Sequence, residues 1–109
     1  MASKADHKTD RNQIKDFQQI INVGPSIAGD LKRIGLRTPQ QLIGKQPLDL
    51  YRKLCQHDRI FHDPCVLDTL ISCVEYMDGK PPKQWWLFTE QRKANFSDAI
   101  EELRSKFLK

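Results

Sequence analysis

Apolar positions recur at helical spacing along most of the chain, and no stretch alternates in the manner of a strand. Ile14, Phe17, Ile20 and Ile21 form the first such segment, with Asp10 or Asn12 placed to cap it. After a corner at Gly24-Pro25, Ile27, Ala28, Leu31 and Ile34 repeat the pattern, and Gly35 is a natural stop. Thr38-Pro39 joins a cap to a proline at the first helical position, which predicts a short helix ending near Gly44. Pro47 opens another, with Leu48, Tyr51 and Leu54 on one face. Asp63-Pro64 repeats the cap-and-proline signal ahead of Val66, Leu67, Leu70, Ile71, Val74 and Met77, the strongest apolar stripe in the chain. Gly79 and Pro81-Pro82 end that stripe, and Phe96, Ala99, Ile100, Leu103 and Phe107 mark an amphipathic C-terminal helix. The pattern predicts a compact all-α bundle of five to seven short helices with brief connections.

Length adds that the 109 residues suit one hydrophobic core. The polar N-terminus, "MASKADHKTDRNQ", predicts a flexible tail over residues 1–12 ahead of a single helical domain over 13–109. It lacks the apolar middle of a signal peptide, and no apolar run reaches the roughly 18 residues of a membrane span. The expected compartment is the cytoplasm, with no membrane partner. The net charge of +4 is unevenly spread. Residues 15–45 carry five basic and two acidic side chains, and residues 83–109 carry six and four. Residues 46–82 reverse the balance, with four basic and six acidic. The positive surplus around Gly24–Lys45 suits a modest footprint for a polyanion, although an ordinary mixed surface gives the same composition.

The corner itself suggests chemistry. A turn entering a helix at Gly24-Pro25 leaves the first N–H groups of that helix without intrahelical partners. Together with the helix dipole, such groups attract an anion. Glycine lets another backbone come close, and proline at the first helical position costs nothing. Asn22, Val23, Gly24, Ser26 and Ile27 are the candidate contacts, with Lys32, Arg33 and Arg37 as nearby cations and Lys15 as a further one.

"INVGPSIAGDLKRIG" resembles the helix-hairpin-helix motif, whose usual form is apolar–Pro–Gly–Val–Gly–Pro–x–x–Ala–x–x–Leu–x–x–x–Gly. Val23, Gly24, Pro25, Ala28, Leu31 and Gly35 match it. Ile21 and Asn22 stand where the motif has Pro and Gly, and Asn is the best non-glycine residue for a left-handed backbone. Further along, "TPQQLIGKQPLDLYRKLC" and "DPCVLDTLISCVEYM" are similar to a small bacterial family of helix-hairpin-helix proteins labelled pathogenicity-locus or mitomycin-resistance proteins, over about Phe17 to Lys93. The resemblance implies a SAM-domain-like helical fold, one helix-hairpin-helix at about residues 14–36, and a link to DNA. Contact through one hairpin would be to the phosphate backbone and independent of sequence. Thr38–Leu54 lacks the Gly-x-Gly signature and is expected to be scaffold rather than a second hairpin.

Other chemistries have weaker signals. Cys55, Cys65 and Cys73 are odd in number and are expected as free thiols. Cys73 falls on the buried stripe. Cys65 falls in the first turn after Asp63-Pro64, where unpaired N–H groups can lower a thiol's pKa, so it is the candidate reactive thiol, while Asp63 and Asp68 oppose that effect. Cys55, His57, His62 and Cys65 have ligand chemistry without a standard zinc spacing, so no metal and no cofactor is expected. No nucleotide-binding glycine loop or defensible acidic pair appears, and the chain is not expected to be an enzyme. Trp85 and Trp86 can stack on bases, but neighbouring helical residues point about 100° apart. One indole is therefore expected in the core and the other against the C-terminal helix. Two function classes stay open. One is a DNA-binding module contacting phosphates weakly; the other is an adaptor for an unidentified protein, with a structural hairpin. The oligomeric state is left open.

Overall fold

A computed structural model describes residues 3–108. Four α-helices carry the fold: α1 (Pro25–Arg33), α2 (Pro47–Asp58), α3 (Pro64–Met77) and α4 (Thr89–Phe107). Four short 3₁₀ turns complete it, at Arg11–Gln13, Phe17–Gln19, Pro39–Leu42 and Trp85–Phe88, and no strand occurs among the described residues. The all-α class is as the apolar spacing predicts, with four α-helices in place of the five to seven expected.

The difference lies largely ahead of α1. Asp10 accepts from Asn12 N–H and starts one turn; Asp16 accepts from Gln18 N–H and starts another. Two caps six positions apart leave no room for a helix to propagate between them. Ile14, Phe17, Ile20 and Val23 are all buried, while Ile21 is only half-buried. Their spacing of three is the repeat of a 3₁₀ turn, whose side chains at i and i+3 eclipse.

The segment expected as a free tail is tied to the domain over residues 4–12. The Arg11 guanidinium donates to the Tyr76 and Lys80 carbonyls, both at 2.8 Å, and stacks over the Tyr76 ring at 3.9 Å. The Tyr76 hydroxyl donates to the Asp6 carbonyl at 2.6 Å, and Ala5 N–H donates to the Gln19 carbonyl at 2.7 Å. Polar composition there serves hydrogen bonding rather than solvation alone. Residues 1–2 lie outside the described residues.

α3 is the central element: ten of its 14 residues are buried, and α2, α4, Pro39–Leu42 and Trp85–Phe88 all pack on it. A helix covered on every side must satisfy its polar residues internally. Asp68, fully buried, accepts from Arg92 Nε at 2.8 Å and from the Thr89 hydroxyl at 2.7 Å, pinning the start of α4. The Ser72 hydroxyl donates to the Thr69 carbonyl at 2.7 Å. Ile100 and Leu103 bury the inner face of α4. Both α1 and α3 end on glycines with positive φ, Gly35 (97°) and Gly79 (107°), as left-handed helix stops require. At Pro39–Leu42, Leu42 is buried, and the neighbouring Gly44 N–H donates to the Asp78 carboxylate, so this stretch closes against α3.

Candidate nucleic-acid interface

The turn into α1 is built on a left-handed residue. Asn22 has φ 70°, the conformation that glycine supplies most easily and Asn tolerates best. Its side-chain amide is used inside the molecule: Nδ2 donates to Ser72 Oγ at 3.0 Å and to the Lys83 carbonyl at 2.9 Å. Asn22 thus fastens the turn to α3 and to the segment before Trp85. Val23 is 1% exposed, so its side chain is core. The Val23 backbone is used as well: its N–H donates to the Ile20 carbonyl at 3.1 Å, so Val23 offers no contact to an outside group.

The inner side of the turn has its own fastening. The Lys4 ammonium donates to three backbone carbonyls, those of Gln18 (2.7 Å), Ile20 (2.9 Å) and Val23. Burial lowers the Lys4 pKa, with Cys73 and Asp16 opposing that shift. No short motif announces a lysine 14 to 19 positions away as the partner of these carbonyls.

The start of α1 is open. Gly24 is the N-cap, in ordinary extended backbone (φ −101°, ψ −170°), and no side chain caps the helix. A Cβ added at Gly24 would meet nothing within 4 Å. Neither backbone strain nor internal packing therefore calls for glycine here. What glycine does is withhold the side-chain oxygen that an Asp or Ser would place on the first amides. Pro25 and Ser26 are exposed and Ile27 is half-buried, and Ala28 N–H makes the first helical bond to the Gly24 carbonyl at 3.0 Å. The other helices differ: α3 has the Asp63 cap, while α2 and α4 carry Asp49 and Glu90 in their first turns. α1 has neither a capping side chain nor an acidic residue at this end.

The cations gather at the opposite end. Lys32 lies six positions beyond Ser26, about 9 Å along the axis. Lys32 and Arg37 are exposed, and with Gly35 and Leu36 they line a groove of about 350 Å³. Arg33 is not free. Its Nη2 lies 2.6 Å from Asp30 and 2.8 Å from Asp58, and its Nε donates to Asp58 at 3.2 Å. Asp58 also pairs with His57 Nδ1 at 2.9 Å and His62 Nε2 at 2.7 Å. Hydrogen bonding from Arg33, foremost, holds the Asp58 carboxyl well below the usual range, and the same contact raises the Arg33 pKa. The expectation that Arg33 serves as an open phosphate contact is corrected: Asp58, 25 positions away, claims it as a latch between α1 and α2.

The remaining candidates separate. Asp63 Oδ1 accepts from Cys65 N–H at 2.9 Å, occupying the helix end that was expected to lower the thiol pKa. Burial, followed by Asp63 and Asp68, instead pushes the Cys65 thiol up. Cys73 is fully buried and its thiol is pushed up to about 12, chiefly by burial. All three cysteines are free. Among the described residues no cluster of three or more His, Cys, Asp or Glu is disposed to hold a metal ion. Arg92 is turned inward to Asp68. The tryptophans depart from expectation too. Trp86 and Leu87 are 56% and 63% exposed, and Trp85 is half-buried. The chain makes a four-residue 3₁₀ turn there, and Phe88, 4% exposed, takes the inward position.

No helix among the described residues is long and apolar enough to cross a membrane. Comparison with known proteins places these features in a lineage. A family model for the Cdd1 pathogenicity locus matches residues 10–94. The mitomycin resistance protein McrB of Streptomyces lavendulae is 37% identical over 78 residues, covering 72% of this chain and 74% of that protein. No solved structure gives a significant match. The match spans the turn into α1, the α1–α2 latch and α3, and the chain belongs to the pathogenicity locus family.

Proposed function

We propose that the protein is a non-sequence-specific DNA-binding module that rests the phosphate backbone on the open N-terminus of α1, with residues 14–36 acting as a hairpin in the manner of a helix-hairpin-helix whose first arm is reduced to the 3₁₀ turn Phe17–Gln19. The observation that carries this reading is Gly24: a glycine that fold geometry does not require, at a helix start with no capping side chain and no acidic residue. The Ser26 and Ile27 amides supply the donors, and the α1 dipole adds a partial positive charge. Lys32 and Arg37 lie about 9 Å or more further on, where a neighbouring phosphate on the same strand can be reached. Arg33 holds α1 in place instead of touching DNA.

So small a contact supports weak binding, roughly 10⁻⁴–10⁻⁶ M at physiological salt. The role is binding and not catalysis, and it invokes no cofactor. The name of the Streptomyces relative adds mitomycin resistance as the setting for such a module, with DNA damage as its natural link. Fluorescence anisotropy with a labelled duplex of arbitrary sequence tests the reading. Binding that weakens with salt and with Lys32→Glu supports it. Absence of binding at low salt leaves the adaptor alternative, in which the hairpin is structural.

A further inference from the structure

The exposed indole of Trp86 follows, three residues on, the backbone carbonyl that anchors the turn entering α1. Asn22, at the centre of that turn, donates to the Lys83 carbonyl at 2.9 Å. Three residues of chain span at most about 11 Å, so Trp86 lies within that reach of the anchored Lys83. Trp85 meets Trp86 edge-to-face, with ring centroids 5.7 Å apart and an interplanar angle of 85°. That contact steadies an indole which is otherwise more than half in solvent. Leu87, still more exposed, extends the apolar surface. Lys80 and Lys83 flank the Pro81-Pro82 step that leads into it, and Lys83 has its ammonium 5.9 Å from the Phe88 ring. Lys80 is partly answered by Glu75 at 3.4 Å. An exposed aromatic plane with cations at its approach matches the needs of an unpaired nucleobase: a face to stack on and charge for its phosphate.

We infer that Trp86 is a base-stacking platform that makes the module prefer duplex DNA with an adjoining unpaired segment over blunt duplex. The inference rests on the hairpin reading: α1 holds the phosphates of the paired region, and Trp86 takes the first unpaired base beyond it. Leu87 widens the platform, and Lys83 accompanies the departing strand. An exposed indole steadied edge-to-face, with Lys83 before it in the chain, is the chemistry of base stacking rather than of a purely apolar peptide groove.

The test uses the full chain and two labelled probes. One is a blunt duplex of about 12 base pairs, and the other is the same duplex with a single-stranded tail of about four nucleotides. The tailed probe is expected to bind about fivefold or more tightly, as stacking of one base allows. Trp86→Ala brings that ratio to about one. Gly24→Asp weakens both probes together. In a Trp85→Phe background, the remaining indole fluorescence is quenched by the tailed probe and not by the blunt one. Equal affinity of the unsubstituted protein for both probes overturns the inference while leaving salt-dependent duplex binding, and hence the hairpin reading, standing. A preference that survives Trp86→Ala also overturns it. Loss of all binding to either probe at low salt overturns the hairpin reading, and the stacking platform with it.

Discussion

Two helices in this protein begin in the same way and end up chemically opposite. α1 starts at Gly24-Pro25 and α3 at Asp63-Pro64, each with proline at the first helical position. Asp63 turns its carboxylate onto the Cys65 amide and closes the end of α3. Gly24 has nothing to turn, and the end of α1 stays open. A helix start that the chain caps itself is structure; one that it leaves bare, on a turn fixed by side chains from elsewhere in the fold, is available to an outside anion. Asn22 and Lys4 do that fixing.

The largest expected effect comes from loosening the closed region. Asp68→Ala leaves the Arg92 guanidinium, whose side chain is 13% exposed, without its carboxylate, at a cost of about 3–5 kcal/mol. A denaturation midpoint far below that of the unsubstituted protein checks this. Lys4→Ala removes the donor shared by three carbonyls and is expected to cost about 1.5–3 kcal/mol. It also loosens the open end of α1, so duplex affinity falls along with thermal stability.

A smaller change converts one helix start toward the other. Asp63→Gly gives α3 an uncapped beginning like that of α1 and costs only a few tenths of a kcal/mol. Because Asp63 helps push the Cys65 thiol up, its removal lowers that pKa. The rate of alkylation at neutral pH then rises relative to the unsubstituted protein. Smallest is the pH response of the α1–α2 latch. Asp58 titrates below its unfolded value of about 3.9, so its contribution is present above that value and is lost as pH falls through the depressed folded pKa. Urea melts should show the stability gap between the protein and Asp58→Asn constant from about pH 5 to 7 and narrowing below about pH 4.

Much of the frame is legible in the sequence because local chemistry decides it. Asp63-Pro64, Gly35 and Gly79 mark helix ends wherever they fall, and the Asn22 turn follows from the few residues that tolerate positive φ. The buried run Ile14, Phe17, Ile20, Val23 was also there to be read as a repeat of three, though a helical count through Ile21 fits the same letters. What the sequence hides is pairing across distance. Arg33 reads as a free cation until the fold brings Asp58 to it, and Lys4 reads as tail until three carbonyls converge on it. Helical geometry puts one of the two indoles in the core and the other against the C-terminal helix, and only the 3₁₀ turn that gives Phe88 the inward position leaves Trp86 outside. The candidate site is thus half legible: its amides follow from the motif, whereas the choice of free cations depends on carboxylates far along the chain.

The most direct measurement is the salt dependence of duplex binding for the protein and for Gly24→Asp, followed by anisotropy from about 50 to 200 mM salt. A carboxylate at position 24 caps α1 as Asp63 caps α3, so the fold is kept or slightly stabilised while the anion's place is filled. The unsubstituted protein should show log affinity falling linearly with log salt, with a slope of about −2 to −4 for two to four phosphates. Gly24→Asp should bind about tenfold or more weakly, with the slope reduced by about one. A folded Gly24→Asp protein that binds with unchanged affinity and unchanged slope would contradict the account.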